Sequence, residues 1–272
     1  MSQKNSLQEL TIKNNFMFAA VMMDPQNCQE LLELILNIPI SYVKVDTERS
    51  LVYDPRYRGI RMDVYVRDEN NTRFDVEMQV RTDCIEKRSR YYHSHMDMDA
   101  LRSGTEYELL PDSYVIFICD FDPVGAGKYV YTEEKRYQEA PEYPVQDGHH
   151  TIFLNTRGKN REEVPAPLVR FLEFVKADPG ESEKDFGDGF VRRLQESVRQ
   201  VRASREMGNV ICGWNWHYGM NGLRAGKRAK QKAEPRVKPR IFWIFCRIWA
   251  MCPKSCESGF CPSEMLGCCR SF

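Results

Sequence analysis

The stretch RMDVYVRDENNTRFDVEMQV (residues 61–80) alternates apolar and polar side chains on both sides of a short polar segment. A period of two is typical of β-strands, and the polar segment 68–71 lies midway between the two runs. The stretch therefore predicts a hairpin of two antiparallel strands, joined by a loop of the common three-residue kind. If the strands pair symmetrically about Asn70, position 63 faces 77, position 61 faces 79 and position 65 faces 75.

This register places Asp63 and Glu77 opposite each other on one face of the hairpin, with Asp75 on the same face. Directly opposed residues have Cβ atoms about 4.5 to 5.5 Å apart, which is close enough for two carboxylates to share a divalent cation. Gln79 follows Glu77 by two residues, so its amide points the same way and can orient a water. The set favours Mg²⁺, whose chemistry here would be metal-assisted hydrolysis of a phosphodiester.

The same alternation has a simpler interpretation as the solvated face of an antiparallel sheet. In that case the arginines of the stretch, with the one that follows it, would neutralise the acids as cross-strand pairs. They are Arg61, Arg67, Arg73 and Arg81.

The rest of the chain predicts helices and strands in mixed order. Helical spacing covers residues 7–23, and Asp24 with Pro25 predicts the cap and first turn of a second helix that ends near Asn37. The apolar run 112–122 is typical of a strand buried on both faces. Further segments are a helix at 85–104, strands at 127–137 and 149–156, and helices at 165–178 and 190–208. This order predicts an α/β fold with a central mixed β-sheet flanked by helices.

Composition changes near residue 208. Residues 224–272 hold 11 Lys or Arg and 3 Glu, and six of the 10 cysteines and all four tryptophans lie beyond position 213. We therefore divide the chain into a domain at 1–207 and an anomalous basic, Cys-rich tail at 208–272. The tail lacks a sustained period and is expected to be disordered, or to arise from a shifted reading frame.

Several other classes of protein and site are disfavoured. The first residues lack the apolar core of a secretory signal, and the apolar run 241–251 is shorter than the roughly 20 residues that span a bilayer. A cytoplasmic protein without a membrane segment is expected. The tail cysteines have no CxxC pair, which disfavours structural zinc. They are Cys252, Cys256, Cys261 and Cys268.

The segments RMDVYV, DVEMQ and RSRYY together resemble the PD-(D/E)XK nuclease family transposases, also called recombination-promoting nucleases of the Rpn type. Similar leading helices (14–36), a helix and strand after the motif (91–122) and a closing helix (201–208) extend the resemblance over about residues 10–208. The family's leading helix often carries an acid where this chain has Asn14 or Asn15.

The resemblance implies a restriction-endonuclease-like core and a Mg²⁺-dependent DNA endonuclease, with Mn²⁺ as a substitute metal. It assigns Asp63 and Glu77 to the metal and Gln79 to the attacking water. Arg88 and Tyr92, four residues apart on one side of a helix, would contact a phosphate or support the site. A double-strand cut needs two sites, which makes a homodimer reasonable. The alternatives are a catalytically impaired nucleic-acid binder of the same fold and a non-enzymatic interaction domain.

Overall fold

The computed structural model describes residues 7–52, 56, 58–82, 84–208 and 210. The chain divides into the units Met1–Ser204 and Arg205–Phe272. The predicted tail, with its cysteines and its hypothetical frame shift, lies outside the described residues apart from Gly208 and Val210. The predicted boundary at 207 therefore stays a prediction.

The first unit contains five α-helices and eight strands among the described residues. The helices are α1 (Asn15–Met22), α2 (Pro25–Leu36), α3 (Ile85–Ala100), α4 (Ala166–Lys176) and α5 (Gly189–Ala203). The strands are β1 (Val43–Leu51), β2 (Ile60–Asp68), β3 (Arg73–Gln79), β4 (Ser113–Cys119), β5 (Val130–Thr132), β6 (Arg136–Tyr137), β7 (Ala140–Pro144) and β8 (His149–Asn155). Short 3-10 turns lie at Leu7–Glu9, Tyr107–Leu109 and Arg161–Glu163.

Six strands form the central sheet in the order β1-β2-β3-β4-β8-β5, and β6 pairs with β7 in a separate hairpin. β3, β4 and β8 run parallel to one another, whereas β1, β2 and β5 join antiparallel. The parallel step from β3 to β4 requires a crossover, which α3 supplies. The predicted α/β fold with a mixed sheet is confirmed.

Helices cover both faces of this sheet. Five consecutive residues of β4 are fully buried, and successive side chains of a strand point to opposite faces, so neither face is open there. On one face, α3 packs Ile85, Tyr92 and Met96 into a cluster with Val115 and Phe117. Helices α1 and α2 lie against the β1 side of the sheet, and α5 packs on both of them.

Local capping explains where α1 and α2 begin and end. The Asn14 side chain accepts the N–H groups of residues 16 and 17, so the predicted helix at 7–23 starts only at Asn15. Asp24 caps α2 with Pro25 in the first turn, and Asn37 closes it in the left-handed conformation (φ 54°). The predicted second helix is confirmed.

Other predicted elements also differ from the structure, among them the helix at 190–208, which ends as α5 at Ala203. Helix α3 ends at Ala100 and not at Gly104, because Leu101 is already extended (φ −102°, ψ 115°). The predicted strand at 127–137 is divided between β5 in the central sheet and β6 in the small hairpin. No helix in the described part of the chain is long and apolar enough to cross a membrane.

Candidate nuclease site

The hairpin of β2 and β3 has the predicted register over its paired residues. The pairs are Val64 with Val76, Tyr65 with Asp75, Val66 with Phe74 and Arg67 with Arg73. In the loop, Asp68 Oδ1 accepts the N–H groups of Asn70 (2.9 Å) and Thr72 (2.8 Å), and Asn71 is left-handed (φ 63°). This is the three-residue loop that the sequence predicts.

Beyond Val64 and Val76, β2 and β3 are joined by hydrogen bonds between side chains and backbone, and no longer by backbone pairs. The Asp63 N–H donates to Glu77 Oε1 (2.9 Å), and Asp63 Oδ2 accepts the Met78 N–H (3.3 Å). Asn15 Nδ2 donates to Asp63 Oδ2 (2.8 Å) and to the Met78 carbonyl (3.3 Å). The predicted pairing of 63 with 77 and of 61 with 79 is therefore not part of the ladder. Asp63 and Glu77 nevertheless meet, each bonded to the backbone of the other's strand.

The acidic side chains of the paired face, unlike those of the loop, are buried. Asp63 and Glu77 are each 3% exposed, Gln79 is 7% exposed and Asp75 is fully buried. The interpretation of this face as a solvated surface is wrong, because α3 covers the part of it that carries Glu77 and Gln79. Burial of three carboxyl groups costs a large desolvation free energy unless partners compensate for it. The arrangement is therefore unusual for a purely structural sheet.

Arg88 of α3 supplies the main compensating charge. Its Nη2 donates to Glu77 Oε2 and its Nη1 to Gln79 Oε1, each at 2.7 Å. Nη2 also lies 3.2 Å from Tyr92 Oη. The structure thus brings four of the predicted site residues, Glu77, Gln79, Arg88 and Tyr92, into one hydrogen-bonded group, and Asp63 joins it through Glu77.

Asp75 is a buried carboxyl group that lies beside this group but is not hydrogen-bonded to it. Neither of its carboxyl oxygens has a hydrogen-bond partner. Burial, followed by repulsion from Glu77 and Asp63, raises the pKa of Asp75 well above its ordinary value. Burial also raises the pKa of Glu77, against the opposing attraction of Arg88. A buried carboxyl without a partner, next to two more, is a site that a cation would stabilise.

Sequence reasoning missed the part that Asn15 plays. The Asn15 amide is bonded directly to Asp63. The departure at positions 14 and 15 was visible in the sequence. The sequence did not show which of the two asparagines contacts the acidic group, because only the fold shows that Asn14 is a helix cap and that Asn15 faces the carboxylates.

An open cavity of about 660 Å³ begins immediately after Gln79. It lies where the parallel strands β3, β4 and β8 end, the edge at which α/β sheets commonly bind ligands. Its lining residues are Val80, Arg81, Thr82, Asp120, Phe121, Asp122 and Arg157. The end of the motif strand is therefore accessible to a ligand from one side.

In the described part of the chain, no three His, Cys, Asp or Glu side chains converge in a geometry ready to hold a metal ion. Asp63 and Glu77 already use oxygens on protein donors, and Arg88 lies between Glu77 and Gln79. The available donors are nevertheless carboxylate and amide oxygens, the ligands that Mg²⁺ takes, and it needs only one or two carboxylates beside water and phosphate oxygens.

Comparison with known proteins identifies the family of the chain. The family model for the PD-(D/E)XK nuclease family transposases matches residues 12–179, which include α1, the hairpin, α3 and the parallel strands. No curated protein and no solved structure matches the chain. The matched range covers more than half of the 272 residues and contains every residue of the buried acidic group. The chain therefore belongs to the PD-(D/E)XK nuclease family transposases.

Proposed function

We propose that the chain is a metal-dependent DNA endonuclease that hydrolyses phosphodiester bonds during recombination or transposition. The observation that carries the proposal is the buried group of Asp63, Glu77 and Gln79 at the end of the hairpin, beside the orphaned Asp75. Oxygen donors of this kind, gathered under a helix and next to an open cavity, are suited to a hard cation and a phosphate.

Asp63 and Glu77 would hold the metal, with Mg²⁺ as the natural ion and Mn²⁺ as a substitute. The bound ion would lower the pKa of the attacking water and stabilise the charge that develops on the phosphate. The unpartnered oxygens of Asp75 support this assignment, because a nearby cation would favour the charged form of this carboxyl and offset its burial.

The remaining residues would orient the attacking water and the DNA backbone. Gln79 Nε2 donates to the Arg81 carbonyl, which holds the amide with its oxygen toward Arg88, and such an oxygen can accept a hydrogen bond from water. Arg88 and Tyr92 would contact the DNA backbone or support the site, and Arg81 and Arg157 add positive charge at the neighbouring cavity. We propose a homodimer for double-strand cutting, with one site for each strand.

One observation favours a second candidate function. A neutral amide, that of Asn15, contacts Asp63, so the site has one negative charge fewer than an acidic residue there would give. A chain with weakened metal binding could still bind DNA through the same fold without cutting it. An interaction domain without nuclease activity is less well supported, since it would not require three buried carboxyl groups.

The test is cleavage of supercoiled plasmid by the full chain in Mg²⁺, in Mn²⁺ and in EDTA. We expect nicking with either metal and none with EDTA. Asp63→Asn and Glu77→Gln should each lower the rate by about 10³-fold or more, because each removes a charged oxygen from the metal. Asp147→Asn, which alters an exposed ion pair with Lys135, is the matched control and should cut normally.

Cleavage that survives both substitutions would contradict the assignment of the carboxylates. DNA binding without cleavage by a folded chain would favour the impaired binder, and Asn15→Asp should then restore metal-dependent nicking. Absence of both binding and cleavage would leave the interaction domain as the better account.

A further inference from the structure

The guanidinium of Arg88 occupies the two oxygens that the active metal site would need to present. It donates to Glu77 Oε2 and to Gln79 Oε1 at 2.7 Å each, so one planar group bridges the first and third residues of the motif ExQ. The other Glu77 oxygen already accepts the Asp63 N–H. A divalent cation that binds the outer oxygen of Glu77 must therefore compete with Arg88.

Two aromatic rings and an ion pair hold the guanidinium of Arg88 in this position. The guanidinium carbon lies 5.4 Å from the ring centroid of Tyr92 and 5.3 Å from that of Phe117, distances at which a cation is attracted by an aromatic ring. Glu77 is almost fully buried, so their ion pair is poorly screened by water. The Arg88 side chain itself remains 27% exposed, which leaves it a path toward solvent.

The acids around Arg88 explain why a resident cation is required. Asp63, Asp75 and Glu77 lie together in the interior, and Asp75 has no hydrogen-bond partner at all. Without a positive charge these groups would repel one another and destabilise the end of the hairpin. Arg88 supplies that charge while no metal is bound.

The geometry points to Arg88 as an internal counter-ion that holds the oxygens of Glu77 and Gln79 until a divalent cation displaces it, and that thereby sets the metal affinity of the site. The inference rests on the proposed metal-dependent function. Displacement releases a planar set of N–H donors, which match the oxygens of a phosphate in two-point contact. Metal binding is thus coupled to the availability of Arg88 for the DNA backbone, and Arg88 is a positioning residue.

The test measures metal binding without DNA. Mn²⁺ is titrated calorimetrically into the full chain and into Arg88→Met, which keeps an apolar stem beside Phe117 but has no donors. We expect Arg88→Met to bind Mn²⁺ about tenfold more tightly, the size expected when one competing charge-assisted pair is lost. Arg90→Met, on the exposed side of the same helix, removes an equal charge nearby and should leave the affinity within about twofold.

Two further variants separate occupancy of the oxygens from damage to the fold. Arg88→Lys keeps the charge but cannot bridge both oxygens, so its affinity should fall between those of the native chain and Arg88→Met. The double variant Glu77→Gln with Arg88→Met should lose the gain, because the oxygen freed by the arginine substitution no longer carries charge. Circular dichroism confirms that each variant is folded.

The outcomes distinguish this inference from the proposed function. If Mn²⁺ binding depends on Asp63 and Glu77 but Arg88→Met binds equally or more weakly, the counter-ion role is wrong and the metal site stands. If neither the native chain nor Arg88→Met binds Mn²⁺, the inference and the proposed function are both wrong. Tighter binding in Arg88→Met, lost in the double variant, is the result that supports the inference.

Discussion

His93 illustrates how single polar residues fit into the core between α3 and the sheet. Its Nδ1 lies 2.7 Å from Ser113 Oγ and its Nε2 lies 3.2 Å from Thr151 Oγ1. Burial is the main cause that lowers the pKa of His93 to about 3, from an ordinary value of 6.5. The titratable and charged groups around it are His149, Asp97, Lys135 and His150.

The sign of the resulting pH dependence follows from proton binding. Between pH 6.5 and about 3 the unfolded chain binds a proton on His93 that the folded chain does not, so stability falls as pH falls through this window. Urea unfolding at several pH values between about 5 and 6.5 should show the His93→Gln variant losing less stability, by up to about 1.4 kcal/mol per pH unit. His150→Gln, at a residue whose side chain is 41% exposed, is the control. Equal slopes in the native chain and His93→Gln would contradict the prediction.

At the scale of the element, an ion-pair network holds the C-terminal end of α3 against three strands. Asp99 accepts two hydrogen bonds from Arg49 of β1 (2.9 and 2.8 Å) and one from Arg73 of β3 (2.7 Å). Arg73 also donates to the Tyr65 hydroxyl of β2 at 2.9 Å. Since Arg73 is only 5% exposed, its charge depends on this one carboxylate.

Asp99→Asn should therefore lower the free energy of unfolding by about 3–5 kcal/mol, the cost of leaving a buried charge without its partner. Asp147→Asn, which breaks an exposed ion pair with Lys135, should cost less than about 1 kcal/mol. Both values come from urea titration. A loss in Asp99→Asn no larger than that of the control would mean that other contacts hold α3 in place.

Elements whose signals are local could be predicted from the sequence. The register of β2 and β3 follows from alternation about Asn70, and the limits of α2 follow from Asp24, Pro25 and Asn37. The mixed sheet also followed, since the apolar run of β4 requires cover on both faces.

Long-range features of the site could not be predicted. The sequence of the hairpin is equally compatible with a solvated face, and only the packing of α3 makes that face buried. The contact of Asn15 with Asp63 joins segments 48 residues apart, and the contact of Arg88 with Gln79 joins a helix to a strand, so no spacing rule within one element indicates either of them. The end of α3 was missed because Ala100 to Gly104 contain no strong stop signal before the glycine.

At the scale of the whole molecule, the range that the family model matches ends at an earlier residue than the folded unit does. The match stops at residue 179, whereas α5 (Gly189–Ala203) belongs to the core. Asn27 of α2 donates to Ser197 at 3.0 Å, and Arg202 donates to the Leu10 carbonyl. The buried apolar residues of α5 are Phe190, Val191, Leu194, Val198 and Val201.

A chain that ends at residue 207 should therefore fold, and its thermal midpoint should lie within about 4 °C of that of the full chain, a difference of about 1 kcal/mol for a unit of this size. A chain that ends at residue 179 should fail to unfold cooperatively. It loses five buried side chains of α5, each contributing about 1.5–3 kcal/mol, and their sum is comparable to the whole stability of a typical domain. Calorimetry of both chains tests the proposed boundary at 207. A cooperative transition in the shorter chain would show that α5 is dispensable, and failure of the longer one would show that the unit needs residues beyond 207.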